Sequence, residues 1–169
     1  MNNSYDISDK ITKFIPDIPI DKIIYLNKKI PSQKPETDNG NREYKRNLLS
    51  KSKDSSSNRS NLNTFYNKRA TQMLYRLYEG SGKAIYIIGI EDNGRCSGLN
   101  NQELIETLQN LIKIVNIVSC NINSIKIYNT NNTKYILTAR LIMNIDKNEN
   151  DIDTENDIDT ENDIDNFII

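Results

Sequence analysis

The chain has 169 residues, with 22 Lys and Arg against 23 Asp and Glu and a formal net charge of −1, a length that suits one ordinary domain with tails. The absence of histidine excludes Ser-His-Asp and Cys-His catalysis and every His-ligated metal site, and two cysteines, Cys96 and Cys120, are too few for a zinc knuckle or a disulfide framework. No apolar run reaches the roughly 18–20 residues that cross a bilayer, and the first residues lack the charged and apolar regions of a signal peptide, so the chain reads as cytoplasmic, with reduced thiols and no membrane partner.

Taken in chain order, residues 1–40 hold all four prolines, Pro16, Pro19, Pro31 and Pro35. Proline is incompatible with long helices and central strands, so this stretch is expected to be an extended N-terminal arm. Ile20, Ile23, Ile24 and Leu26 would dock it. The α+β domain is placed at 41–145. It opens on a short strand from Arg42 to Leu49, and Ser50 to Ser60, which lacks any apolar residue, reads as a solvated linker. A helix follows from about Leu62 to Glu79, with Leu62, Tyr66, Ala70, Met73, Leu74 and Leu77 on one face and Lys68, Arg69 and Arg76 largely on the exposed side. Gly80 is placed for a left-handed cap.

Ala84 to Ile90 is an apolar run of strand formers. It ends in Glu91-Asp92-Asn93-Gly94, whose Asn-Gly pair is a strong hairpin signal, so a brief second strand is expected. Asn100 and Glu103 then form a capping-box pattern ahead of Leu104, Leu108, Leu111, Val115 and Val118 at helical spacing. Ile122 to Tyr128 and Lys134 to Met143 read as two strands joined by an Asn-rich turn. The order β-α-β-β-α-β-β predicts an α+β fold, a mixed β-sheet with two helices on one face. Residues 146–169 repeat DIDTEN, and this acidic tail is expected to be disordered, because it offers too little apolar surface to offset chain ordering.

The near-zero net charge conceals segregation. Residues 42–83 carry ten Lys/Arg against three Asp/Glu, a net of +7, and residues 146–169 one Lys against ten acids, a net of −9. A basic segment of this density attracts phosphate. Lys45, Arg46, Lys68, Arg69, Arg76 and Lys83 are the candidate RNA-binding residues, and Tyr44, Tyr66 and Tyr75 are available for stacking on bases.

Three linked motifs carry a resemblance: Glu43-Tyr44-Lys45, the helix end Met73-Leu74-Tyr75-Arg76-Leu77-Tyr78-Glu79-Gly80, and Ala84 to Gly94 running on to Gly98-Leu99. In this order they resemble the N-terminal region of the elongation-factor-like GTP-binding proteins one and two, over some hundred residues to about Met143. The resemblance implies a non-catalytic, translation-associated module that binds RNA, the ribosome or a partner protein, including a separately encoded GTPase domain, or alternatively a split half or remnant of a translational GTPase. A phosphate loop requires G-x-x-x-x-G-K-[ST], and around Gly80-Ser81-Gly82-Lys83 the first glycine is Leu77 and the Ser/Thr is Ala84, so this chain is not expected to hydrolyse GTP. The same residues also resemble the Schlafen/AlbA-type domain, some of whose members are RNA nucleases with three acidic residues. That resemblance implies an alternative site of Asp38, Glu43 and Asp92 holding Mg²⁺ or Mn²⁺, a cation able to activate water beside a phosphate. The first reading needs no cofactor.

Overall fold

Ile7, Ile11 and Ile15 recur every fourth residue and are all buried, the stripe of an amphipathic helix. In the computed structural model, which describes residues 3–50, 58–130 and 133–144, helix α1 spans Asn3–Phe14. It stops two residues before Pro16, whose ring disfavours helical backbone in the residue before it. A 3-10 turn, Ile20–Lys22, leads into strand β1, Ile23–Leu26. The first forty residues are therefore not simply an extended arm: they supply a helix and a strand, and helix and strand are lacking in the turn at 15–19 and in the longer stretch from Asn27 to Asn41.

The remaining elements are β2 (Arg42–Lys45), α2 (Asn58–Glu79), β3 (Lys83–Ile88), α3 (Asn101–Val118), β4 (Cys120–Asn129) and β5 (Tyr135–Met143). Among the described residues they form one mixed five-stranded sheet in the order β1-β4-β5-β3-β2. The outer pairs β1–β4 and β2–β3 are parallel, and β5 runs antiparallel to both its neighbours. The class is α+β, as expected, with a third helix added by α1. All three helices pack on one face, where Met73, Leu77, Leu104, Leu108 and Leu111 meet Ala84, Ile88, Leu137 and Leu141. Each fully buried aliphatic side chain contributes about 1.5–3 kcal/mol. The opposite face holds a smaller cluster of Ile30, Tyr44, Ile87, Ile90, Tyr128 and Ile136, to which the extended segment contributes Ile30.

The second strand of the expected hairpin does not form. The turn is present, with Gly94 N donating to Glu91 O at 2.8 Å and Glu91 N to Arg95 O at 2.9 Å, but pairing is limited to one bridge, Ile90–Cys96. Gly98, at φ +68, then turns the chain away, and Leu99 pairs with Tyr135 at the start of β5. The end of α2 also differs from expectation: the left-handed residues are Ser81 (φ 51) and Gly82 (φ 89), not Gly80. Gly80 is needed for space, since a Cβ there would overlap the Lys83 carbonyl oxygen and the Asn41 side chain. The capping box of α3 forms in full, Glu103 N donating to Asn100 Oδ1 and Asn100 N to Glu103 Oε2, each at 2.9 Å. No helix among the described residues is long and apolar enough to cross a membrane. Most of the expected linker and the whole acidic repeat lie outside the described residues.

Candidate nucleic-acid interface and the buried charge cluster beside it

β2 lies parallel to β3 at one sheet edge, with Glu43 opposite Tyr86, and the last turns of α2 pass over this corner. Arg76 reaches from α2 into it. Its Nε donates to Glu43 Oε2 at 2.6 Å, Nη1 donates to the carbonyls of Asp38 and Gly40 at 3.0 Å each, and Nη2 donates to Glu36 Oε1 and the Thr37 carbonyl, both at 3.3 Å. One guanidinium thus binds two carboxylates and three backbone carbonyls, which uses its planar fork of donors. Glu43 is 1% and Arg76 5% exposed. The Lys45 ammonium also pairs with Glu43, through Oε1, so two cations neutralise this carboxylate.

Glu36 closes the cluster, its Oε1 accepting from the Tyr44 amide at 2.6 Å. Burial pushes the Glu36 carboxyl above its ordinary range; the Tyr44 amide bond opposes this, and the Glu43 carboxylate adds to it. Beneath them the Tyr86 phenol is buried and has no hydrogen-bond partner among the described residues. Burial, and secondarily the charge on Glu43, raises its pKa far above the usual tyrosine range.

This geometry revises the expected RNA-binding set. Arg76 is internal and fully engaged, not on the exposed side of α2. Lys45 is turned inward onto Glu43. Arg46 is held by Glu91 and Glu103, at 3.7 and 3.3 Å, which ties β2 to the N-terminus of α3. Arg69 is half-buried, its Nη1 donating to Gln72 Oε1 at 3.0 Å and its guanidinium lying 5.7 Å from the Phe65 ring centroid. Lys68 and Lys83 are exposed. Of the tyrosines, Tyr44 is buried and Tyr66 is half-buried with its hydroxyl donating to Asn110 Oδ1 at 2.7 Å, so neither offers a free ring face, whereas Tyr75 is exposed. The sequence reading missed Tyr78, which is 81% exposed, and placed Leu74 in the core although it is exposed. Leu74, Tyr75 and Tyr78 share the outer face of the last turns of α2, at i, i+1 and i+4.

The acidic trio does not assemble. Glu43 is occupied by Arg76 and Lys45. Asp38 contributes its backbone carbonyl to Arg76, and the Asp92 carbonyl accepts from the Glu36 amide at 2.8 Å. Among the described residues no three Asp, Glu, His or Cys side chains come together as a cation site. Glu91 is likewise absorbed, by Ser97, Arg46 and Arg95.

The Gly80-Ser81-Gly82-Lys83 connection is also unlike a phosphate cradle. All four of its amides donate to protein carbonyls: Gly80 to Arg76, Ser81 to Tyr78, Gly82 to Leu77 and Lys83 to Gly80. It follows a helix C-terminus, where the dipole is negative, whereas phosphate loops sit at an N-terminus.

The fold and site together describe an α+β module with a buried charge cluster and an aromatic helix face. In sequence the chain is related to GTP-binding protein 2 of mouse and of human: it is 34% identical to each over 96 residues, covering 57% of this chain and 14% of those proteins. It is also 32% identical over 84 residues to Uncharacterized protein R625 of Acanthamoeba polyphaga mimivirus, covering 49% of this chain and 44% of that one. The chain thus spans only about a seventh of the length of the GTP-binding proteins it matches. No family model and no solved structure matches it.

Proposed function

We propose that the chain is a non-catalytic, cytoplasmic RNA-binding module related to part of a GTP-binding protein, contacting single-stranded RNA or its exposed segments on the ribosome through the outer face of α2. The observation that carries this reading is the pairing of two exposed tyrosines, Tyr75 and Tyr78, with Lys68 on one helix and Lys83 just beyond it. Aromatic rings stack on bases at about 1–3 kcal/mol per base, and lysines supply the phosphate attraction. The test is anisotropy of a labelled single-stranded RNA titrated with the full chain across salt. Binding should weaken steeply as salt rises, and Tyr78→Ala should lower affinity about five- to a hundredfold. Undetectable binding at low ionic strength overturns the reading.

The relation to GTP-binding protein 2 favours a second reading, in which the chain works beside a separately encoded GTP-binding protein. A defined GTPase partner that co-purifies with the full chain supports it; absence of a complex at micromolar concentrations of both proteins argues against it.

A further inference from the structure

Among the described residues the strands carry five cations, Arg42, Lys45, Lys83, Lys126 and Arg140, and one acid, Glu43. Successive side chains of a strand point to opposite faces of the sheet. Glu43 and Lys45 pair on the helix side, where Arg76 joins them. The other four cations are in step with Tyr44, Tyr128 and Ile136 of the smaller cluster and out of step with Ala84, Ile125 and Leu141 of the larger one. They therefore fall on the helix-free face, to which no strand contributes an acid.

The pairing register sets their arrangement. Arg140 lies opposite Ile85 on one side and Ser124 on the other. Lys83 stands opposite Ile142 and Lys126 opposite Thr138, the positions that precede and follow Arg140 on the same face of β5. Lys83 and Lys126 thus flank Arg140 diagonally, one on each side, and diagonal neighbours of this kind are about 7–8 Å apart. Lys126, Arg140 and Lys83 form a straight row across β4, β5 and β3. Arg42, opposite Ile85 on β2, stands beside the row. The segment from Asn27 to Asn41 packs Ile30 on the other half of this face, where Tyr44, Ile87, Tyr128 and Ile136 are buried. Around the row Lys83 is exposed, and Arg42, Lys126 and Arg140 are half-buried.

A line of cations is the complement of a linear polyanion, and a phosphodiester backbone is one. Arginine and lysine each carry several N–H donors, so a side chain already bonded within the protein keeps donors for a phosphate oxygen. The tyrosines of this face, Tyr44 and Tyr128, are buried, so the face presents no ring to a base.

We infer that the helix-free face of the sheet binds the phosphate backbone of a single nucleic-acid strand along Lys126, Arg140 and Lys83, without reading its bases. The ligand class rests on the RNA reading of α2, but the sheet site uses neither Tyr75 nor Tyr78. The experiment titrates the full chain across salt into two labelled probes, a single-stranded RNA and an abasic strand of equal length, which offers phosphates and no bases. The abasic strand should bind. Arg140→Gln and Lys126→Gln should each reduce the slope of log affinity against log salt by about 0.7, which is roughly an eightfold loss at about 50 mM salt for a contact that vanishes near 1 M. Lys113→Gln, which removes the same charge from α3, should change affinity less than about twofold. Each variant's urea midpoint is compared with that of the unaltered chain, and should Arg140→Gln fail to fold, Lys126→Gln decides. RNA binding without abasic binding overturns this inference and leaves the α2 reading standing. Equal affinity for the two probes, with both sheet variants weakened, supports the sheet site and overturns stacking on α2. A loss in Lys113→Gln as large as in Arg140→Gln reduces the effect to diffuse attraction and overturns the inference. Phosphatidylserine vesicles supply the last arm: vesicle binding that Arg140→Gln abolishes, with abasic affinity unchanged, assigns the face to lipid and overturns it as well.

Discussion

Arg76 is a basic residue of a basic segment that has been drawn into the protein. Ala70, Met73 and Leu77 define the centre of the buried stripe of α2, and at 100° per residue Leu74 lies about 67° and Arg76 about 93° from that centre, on opposite sides. Helical phase alone therefore favours covering Leu74. Glu43 reverses this, because its carboxylate, buried on β2, requires a cation, whereas Leu74 can remain at the surface without a partner. Breaking such a pair by removing one member leaves a buried charge and costs about 3–5 kcal/mol. Arg76→Met should therefore lower the free energy of unfolding in urea by roughly 3 kcal/mol, and adding Glu43→Gln should recover part of the loss. Equal destabilisation by single and double variants would show that the backbone carbonyls, not the ion pair, set the cost.

Cys120 gives a second test at this scale. Burial pushes its thiol up to about 11, so above the ordinary thiol range near 8.5 the unfolded chain loses a proton that the folded chain keeps. The native state binds more protons, and stability falls as pH rises between those values. Urea midpoints measured from pH 8 to 11 should show this alkaline slope reduced in Cys120→Ala; an unchanged slope assigns it to tyrosines or lysines instead.

Among the elements, α3 was fully legible in the sequence, because its capping box and its leucine spacing are local and agree with each other. α1 was obscured by its neighbours. Four prolines between positions 16 and 35 coloured the whole stretch, although Ile7, Ile11 and Ile15 carried a helical period ahead of the first of them. β1 was legible only as an apolar patch, since nothing local in four residues announces that their partner lies a hundred positions away. The Asn-Gly turn was legible, but its second strand was not excluded locally: what prevents it is the pull of Leu99 onto Tyr135, a long-range pairing. The same turn also holds down the extended segment. Gln33 N donates to Gly94 O and Glu36 N to Asp92 O, each at 2.8 Å, and a Cβ on Gly94 would overlap the Gln33 carbonyl oxygen. With φ at +84, Gly94→Ala combines backbone strain with that overlap, together about 1–3 kcal/mol. Amide exchange should show Gln33 and Glu36 losing protection while α3 keeps it; retained protection at both would mean that the conformation of Gly94 does not set how the segment is held.

For the whole molecule, the relevant electrostatic quantity is the distribution of charge rather than its sum. Half of the basic residues first assigned to an RNA surface, Lys45, Arg46 and Arg76, are neutralised by glutamates within the fold, so their charge makes little contribution to the outer field. Lys68 and Lys83 are exposed, in the same chain as the ten acids of residues 146–169. Under the proposed RNA reading those acids would compete with phosphate for a cationic face within a Debye length, about 8–10 Å at ordinary ionic strength, and because they belong to the same chain the competition would not depend on protein concentration. Neutralising Asp151, Asp153, Asp157 and Asp159 to Asn in the full chain removes four negative charges while leaving 163–169 intact. RNA affinity should then rise about tenfold at low salt, and the gain should shrink toward nothing as salt approaches 1 M, where the Debye length is about 3 Å. A gain that persists at high salt would mean that the acids act through a specific contact rather than through their field, and no gain at any salt would remove residues 151–159 from the binding equilibrium.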